Sequence, residues 1–370
     1  MRIERIRVAR VPMQLVSPLR TSDGAHQSRV AVLVEITDAS GVIGWGENVA
    51  PAGVAYVGEH ADASYEAMTQ VLIPELVQHE LSVGDMFADR WWGINGHHFA
   101  KHAVESALWD IHSRRQGMSL AQVLGGVETE IEVGVVVGMH DTIDDVVAEV
   151  MQRVDEGYSR VKIKIAPGHD FAVLAAVRDA VGPEFALQAD ANGAYGADDF
   201  DLLCSLDQFA LQFIEQPFAA DNLELHAELL HRSATSVCLD ESVNTMGQLL
   251  LALDSGACDV VNIKPSRVGG IRDAIAMHDV LVEREIDAWV GGMLETGIGR
   301  ASCLALASMP GFTLTPDLSA SARYFTTDIT APFALHDGAI AVPTGLGIGV
   351  APLESMLADE SVVIETLFEH

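Results

Sequence analysis

The chain contains four lysines, Lys101, Lys162, Lys164 and Lys264, against eighteen arginines. Lysine ordinarily stays in water, yet three of these four fall inside apolar, strand-like runs. In Arg160-Val-Lys162-Ile-Lys164-Ile165 the alternation of a strand sends both lysines to one face and the aliphatic residues to the other. Two desolvated ammonium groups side by side should lower each other's pKa, which is how a lysine becomes a base near neutral pH. A lone Lys-x-Lys pair is more often two lysines snorkelling on a half-exposed strand. The residues downstream weigh against that here.

Three later apolar runs end in an acid. Asp190 closes Leu187-Gln-Ala-Asp, Glu215 closes Gln212-Phe-Ile-Glu, and Asp240 closes Val237-Cys-Leu-Asp; a fourth run, Val261-Asn-Ile-Lys, ends in Lys264. The intervals are 25, 25 and 24 residues, one strand-helix unit each. Any one of these acids alone is as readily a helix cap or a loop ion pair. Three in register, with lysines before and after, point to a shared site. Three converging carboxylates need a cation, and oxygen donors without His or Cys suit a hard ion: Mg2+ first, with Mn2+ or Ca2+ behind it. Amines on opposite sides of such an ion suit proton transfer at a carbon next to a carboxylate, through a metal-stabilised enediolate.

Positioning these residues requires a ring of strands. From Ile131 onward, strand-like runs alternate with helical stretches, and eight strands are expected at 132–137, 160–165, 186–190, 211–215, 236–240, 260–264, 288–292 and 312–316. This is the pattern of an α/β protein with a TIM-type (β/α) barrel, whose active sites lie at the C-terminal ends of the strands. No glycine-rich dinucleotide turn follows the first strand, which disfavours a doubly wound sheet. Residues 1–125 are expected to form an α+β capping domain, 126–320 the barrel, and 321–370 a segment returning to the cap. Within the first part, 1–50 reads as strands, Ser17 to Gly24 as a polar loop able to act as a lid, and 58–125 as helical, closed by Gly125-Gly126.

Bulk properties narrow the function classes. With 370 residues and 49% hydrophobic residues, the chain has material for a large core. No apolar run is long enough to span a membrane, and the alternating N-terminus does not resemble a signal peptide, so a cytoplasmic location is expected. The formal charge of −31 repels nucleic acid and acidic membranes. Any anionic substrate therefore needs a locally built positive site. The four cysteines form no metal-binding or disulfide pattern.

The segments Pro18-Leu-Arg-Thr-Ser, Gly44-Trp-Gly-Glu-Asn-Val-Ala, Lys162-Ile-Lys164, Asp190-Ala-Asn192, Ile214-Glu-Gln-Pro, Leu239-Asp-Glu-Ser, Asn262-Ile-Lys-Pro-Ser-Arg267-Val-Gly-Gly, Gly291-Gly-Met-Leu-Glu-Thr-Gly-Ile-Gly299 and Asp317-Leu-Ser-Ala-Ser resemble the enolase superfamily, muconate-lactonizing-enzyme subgroup. Within it the chain is similar to the o-succinylbenzoate synthase / N-succinylamino acid racemase family. The resemblance implies a homo-oligomeric, Mg2+-dependent lyase acting on a small carboxylate substrate in menaquinone biosynthesis, with racemase activity at the same site. It implies Asp190, Glu215 and Asp240 as metal ligands and Lys164 as the base. Lys264 becomes the opposing cation or second base, and Lys162 tunes Lys164. Asn192 and Arg267 become supporting residues, and Arg20 part of a lid over the succinyl group; Glu241, directly after Asp240, reads separately as a hydrogen-bonding support of that ligand. Leu19 departs from the aromatic residue expected there. Muconate cycloisomerase and dipeptide epimerase are the rival activities, and a non-catalytic binding scaffold the rival of another class. The epimerase pattern needs a second acid after Asp317, where Ser319 stands.

Other residues have two readings each. Glu295 could reach the barrel mouth or start a helix, and Glu47 could close the pocket or form a strand-end ion pair. Trp91, Trp92, His97 and His98 read as packing and surface residues, and Lys101 as a surface cation.

Overall fold

Alternation of apolar and polar residues makes the first fifty residues an antiparallel sheet. The computed structural model describes the chain except residues 22–23, 55, 79 and 82–92 and the side chains of 18–27. Trp91 and Trp92 thus lie outside the described residues. Strands β1 (Ile3–Thr21), β2 (Gly24–Asp38) and β3 (Ile43–Asn48) pair in sequence order. The stretch expected as a loop, 17–24, is a continuation of the β1–β2 ladder where it is described. Leu19 pairs with His26, Arg20 with Ala25 and Thr21 with Gly24, beyond a register shift after Gln14. Backbone groups there find partners across the hairpin arm.

The helix His98–Gln116 lies on this sheet. Gly44 and Gly46 are what let it in, because a Cβ at either would meet the backbone oxygen of Ala107 at 2.2 Å or of Ala103 at 2.0 Å. Gly117, at φ +70°, ends this helix, and Gly125 ends the short helix Leu120–Leu124 that follows, so the expected single stop at Gly125-Gly126 is corrected. Lys101 is also not a free surface cation: it is half-buried and donates to Ile94 O at 2.6 Å.

After β4 (Glu130–Glu132), seven strands form one parallel sheet in chain order: β5 (Val135–Val137), β6 (Arg160–Lys164), β7 (Ala186–Asp190), β8 (Phe213–Glu215), β9 (Ser236–Leu239), β10 (Val260–Ile263) and β11 (Asp287–Val290). Intervening helices cover the outer face, where Val161, Ile163 and Ile165 join the main core. The expected eighth strand, 312–316, is irregular chain. It follows Gly311 at φ +106° and ends in a proline, which has no N–H to donate to a ladder. Its backbone still bonds to both ends of the sheet: Thr313 N to Ala288 O at 3.0 Å, and Gly134 N to Pro316 O at 2.9 Å. Beyond it, β12 (Ala339–Ala341) pairs with β4, and β13 (Val363–Glu369) pairs with β1. Among the described residues no helix is long and apolar enough to cross a membrane.

Glu105 joins the N-terminal helix to this α/β unit. Its carboxylate accepts from Ile271 N at 2.7 Å and Arg272 N at 3.1 Å, capping the helix Ile271–Glu283 from another part of the chain. Burial outweighs these donors and pushes its pKa up to about 7 from 4.5. A raised folded-state pKa favours the protonated fold, so its stabilising contribution is complete below pH 4.5 and is lost as pH rises through 7. In Glu105→Gln the fall in unfolding free energy between pH 4.5 and 7, followed by urea denaturation, should be smaller than in wild type. An equal fall would show that Glu105 does not carry this dependence.

Candidate active site

Strand pairing aligns the charged residues. Lys164 stands opposite Asp190, and Asp190 opposite Glu215, across β6, β7 and β8. Asp240 and Lys264 directly follow the last residues of β9 and β10. The side chains are buried: Lys162 is 2% exposed, Lys164 9% and Lys264 7%, while the three acids are at 1% or less. The snorkelling alternative is thereby removed.

Each acid faces a cation. Lys164 Nζ donates to Asp190 Oδ2 at 2.6 Å and to Asn192 Oδ1 at 2.7 Å. Lys162 Nζ lies 2.6 Å from Glu215 Oε2, 3.3 Å from Asp190 and 2.5 Å from Asp317. Lys264 Nζ donates to Asp240 Oδ2 at 2.8 Å, and the Arg267 guanidinium contacts the other Asp240 oxygen. Lys164 therefore approaches the acids from the β7 side and Lys264 from the β9 side.

The expectation that Lys162 and Lys164 depress each other's pKa is corrected for Lys162. Burial does lower its pKa, but Asp317, Glu215 and Asp190 outweigh burial, and the net direction is up. Lys264 also moves up: burial opposes its charge, and Tyr56, Glu215 and Glu241 more than restore it. For Asp190, burial is outweighed by Lys164 and Lys162, and its pKa is lowered.

Among the described residues no three His, Cys, Asp or Glu side chains stand together as a metal cage; lysines and Arg267 occupy the acid oxygens. The donor set nonetheless fits a hard divalent ion. Three buried carboxylates sit at adjoining strand ends, all donors are oxygens, and the spot already demands positive charge.

The supporting residues divide. Asn192, at φ +45°, bridges Lys164 and Glu241, donating to Glu241 Oε1 at 2.8 Å. The other Glu241 oxygen is buried without a partner, and burial, followed by Asp190, pushes the Glu241 pKa up to about 7. Arg267 is held by Val243 O at 3.1 Å and Asn262 O at 2.5 Å. Glu295 does not join the lysines and acids. It accepts from Met293 N at 2.7 Å and pairs with Arg300 at 3.4 Å beside the start of the helix Gly297–Ala307. Arg20 is paired through its backbone, and its side chain lies outside the described residues. A cavity of about 460 Å³ opens beside β5, among Gly138, His140, Glu149 and Arg323, and shares no lining residue with this cluster.

Three residues of the cluster were not singled out from sequence. The Tyr56 hydroxyl donates to Asp240 Oδ1 at 3.0 Å and accepts from Lys264 Nζ at 2.9 Å. Asn262 Nδ2 donates to Glu215 Oε1 at 2.7 Å. Asp317, noted as a motif position and as the first acid of the epimerase pattern, pairs with both Arg160 and Lys162. Burial raises its pKa, but Arg160 and Lys162 prevail and hold it well below the usual carboxylate range. The strand-end pattern could have flagged Asp317, since it directly follows the irregular eighth segment. Tyr56 sits in a loop with no periodicity to mark it.

The parallel α/β sheet, with acids and lysines at the C-terminal ends of its strands, is the arrangement expected from the enolase-superfamily resemblance. Residues 145–356 match the enolase C-terminal domain-like family model, and residues 3–125 the mandelate racemase / muconate lactonizing enzyme N-terminal domain. The chain belongs to this family of the enolase superfamily. It is 43% identical to an N-succinylamino acid racemase of Amycolatopsis over 96% of this chain and 97% of that one. It is 41% identical to an o-succinylbenzoate synthase of Geobacillus kaustophilus over 94% of this chain and 92% of the relative. A crystal structure of an enolase-superfamily member from Listeria innocua superposes with a TM-score of 0.94 at 36% identity, covering all of both chains.

Proposed function

We propose that the chain is an o-succinylbenzoate synthase, a lyase that removes water from a succinylated cyclohexadiene carboxylate, and that the same site racemises N-succinyl amino acids. The observation that carries this reading is the approach of Lys164 and Lys264 to three adjoining acids from opposite sides. The names of the relatives support it at the level of substrate.

Asp190, Glu215 and Asp240 would hold Mg2+, with Mn2+ as a substitute. The ion supplies positive charge to the substrate carboxylate as the α-proton leaves. Lys164, oriented by Asn192, removes that proton; in dehydration the same ammonium protonates the departing hydroxyl, releasing water. In racemisation Lys264 delivers a proton to the opposite face. Lys162, braced by Asp317 and Glu215, keeps the acids in place.

On this reading 1–125 and 321–370 form a capping domain over a barrel of 126–320, with the chain at 312–316 closing the ring. Contacts of Tyr56 with Asp240 and Lys264, and pairing of β13 with β1, support this division. The hairpin arm bearing Arg20 would cover the succinyl group. Dipeptide epimerisation is disfavoured because Asp317 is engaged by Arg160 and Lys162 rather than free to take a substrate ammonium.

The test is an Mg2+ titration followed by thermal unfolding. At a hundredfold excess over Kd, binding should add about 2.7 kcal/mol of stability, or a rise in Tm of about 3.5 °C for a chain of this length. Asp240→Asn should shrink that rise. No Mg2+ response in wild type would remove the metal site and the proposed reaction with it.

A further inference from the structure

The segment Gly291 to Thr296, directly after β11, forms a wall beside Lys264. A Cβ on Gly291 would lie 2.7 Å from Lys264 Cε and 2.1 Å from Asn262 Oδ1. The segment contains Leu294 at φ +58°, a left-handed conformation costly for a branched residue. Something must hold it there, and the grip comes from the N-terminal sheet. Arg29 on β2 donates to the backbone oxygens of Met293 at 2.9 Å and Leu294 at 2.5 Å. Glu47 on β3 accepts from Thr296 N at 3.0 Å, Thr296 Oγ1 at 2.8 Å and Gly299 N at 3.0 Å. The two side chains pair with each other at 3.5 Å. A cation thus takes the carbonyls on one side of the bend and an anion takes the N–H groups on the other, where the helix Gly297–Ala307 begins. Arg29 also pairs through its backbone with Met13, two residues before the ladder shifts into the hairpin arm.

We propose that Arg29 and Glu47 are a positioning pair that fixes the Gly291–Thr296 wall in its strained form and so shapes substrate selection at the Lys264 side. The proposal rests on the reaction proposed above for its kinetic consequence, but not for its structural one. The pair touches none of the three acids, so Mg2+ affinity does not depend on it.

The experiment compares wild type, Arg29→Met, Glu47→Gln and Arg29→Lys by steady-state kinetics on N-succinyl amino acids and by hydrogen exchange of the 293–299 amides. Arg29→Met and Glu47→Gln should raise KM about tenfold with kcat within about twofold. They should speed exchange at 293–299 and leave Mg2+ affinity unchanged. Arg29→Lys should recover part of the KM. In an Arg29→Met background, Leu294→Gly should also recover part of it, because glycine adopts the left-handed bend without strain. Unchanged exchange at 293–299, or a fall in kcat at constant KM, would overturn the proposal. If wild type turns over no N-succinyl substrate, the proposed reaction fails, and the exchange measurement alone decides whether the clamp exists.

Discussion

Lys164→Ala should lose both dehydration and racemisation, by about 10³-fold or more, while keeping its fold and its affinity for Mg2+. The reason lies in what Lys164 touches. Its ammonium meets one oxygen of Asp190 and the side chain of Asn192; the other amine on that side, Lys162, lies 3.3 Å from the same Asp190 oxygen but is held by Glu215 and Asp317. Removing the amine leaves all three acids in place. Measurements belong at saturating Mg2+, because a buried acid stripped of its partner cation is costly without another positive charge nearby. Retention of more than about a tenth of wild-type turnover with unchanged Mg2+ binding would refute Lys164 as the base.

The second large effect separates the two reactions. Lys264→Ala should reduce racemisation by about 10³-fold, because the opposite face then has no proton donor. Dehydration should fall by only about 10²-fold, the loss expected when one charge that steadies a developing anion is removed. Asp240 keeps Arg267 and the Tyr56 hydroxyl as partners in this variant, so the local structure has support. Steady-state rates on both substrates, read as a ratio, check this. Equal losses in the two reactions would mean that Lys264 has one role in both rather than an added one in racemisation.

Much of this site was legible before any fold was known, for a specific reason. At Asp190, Glu215, Asp240 and Lys264 an apolar run stops and a charge begins, and in a parallel sheet those points fall at one end by construction. The burial of the lysines was legible for the same reason: Lys162 and Lys164 interrupt aliphatic residues that must face the helices. The direction of the Lys162 pKa was not legible, because it depends on Asp317, which lies 155 residues away in sequence and arrives beside it only when the sheet curls. Tyr56 was hidden because a loop residue carries no periodic signal. The eighth segment misled in the other direction: Phe312-Thr-Leu-Thr alternates like a strand, but the Gly311 bend and Pro316 leave it outside a regular ladder. For Glu295 the sequence left two readings, the barrel mouth and a helix start. The helix start that follows turns its carboxylate toward Met293 N and Arg300. The glycines of Gly44-Trp-Gly-Glu marked family likeness in the sequence, and only the structure shows that the backbone of the helix His98–Gln116 needs their missing side chains.

Two amines are proposed to act on opposite faces of one substrate carbon. The most direct measurement is exchange of the α-hydrogen of each enantiomer of an N-succinyl amino acid in D2O with Mg2+ present. Wild type should exchange both enantiomers. Lys164→Ala should exchange only one, and Lys264→Ala only the other. Exchange of both enantiomers by either variant, or of neither by wild type, would contradict the account.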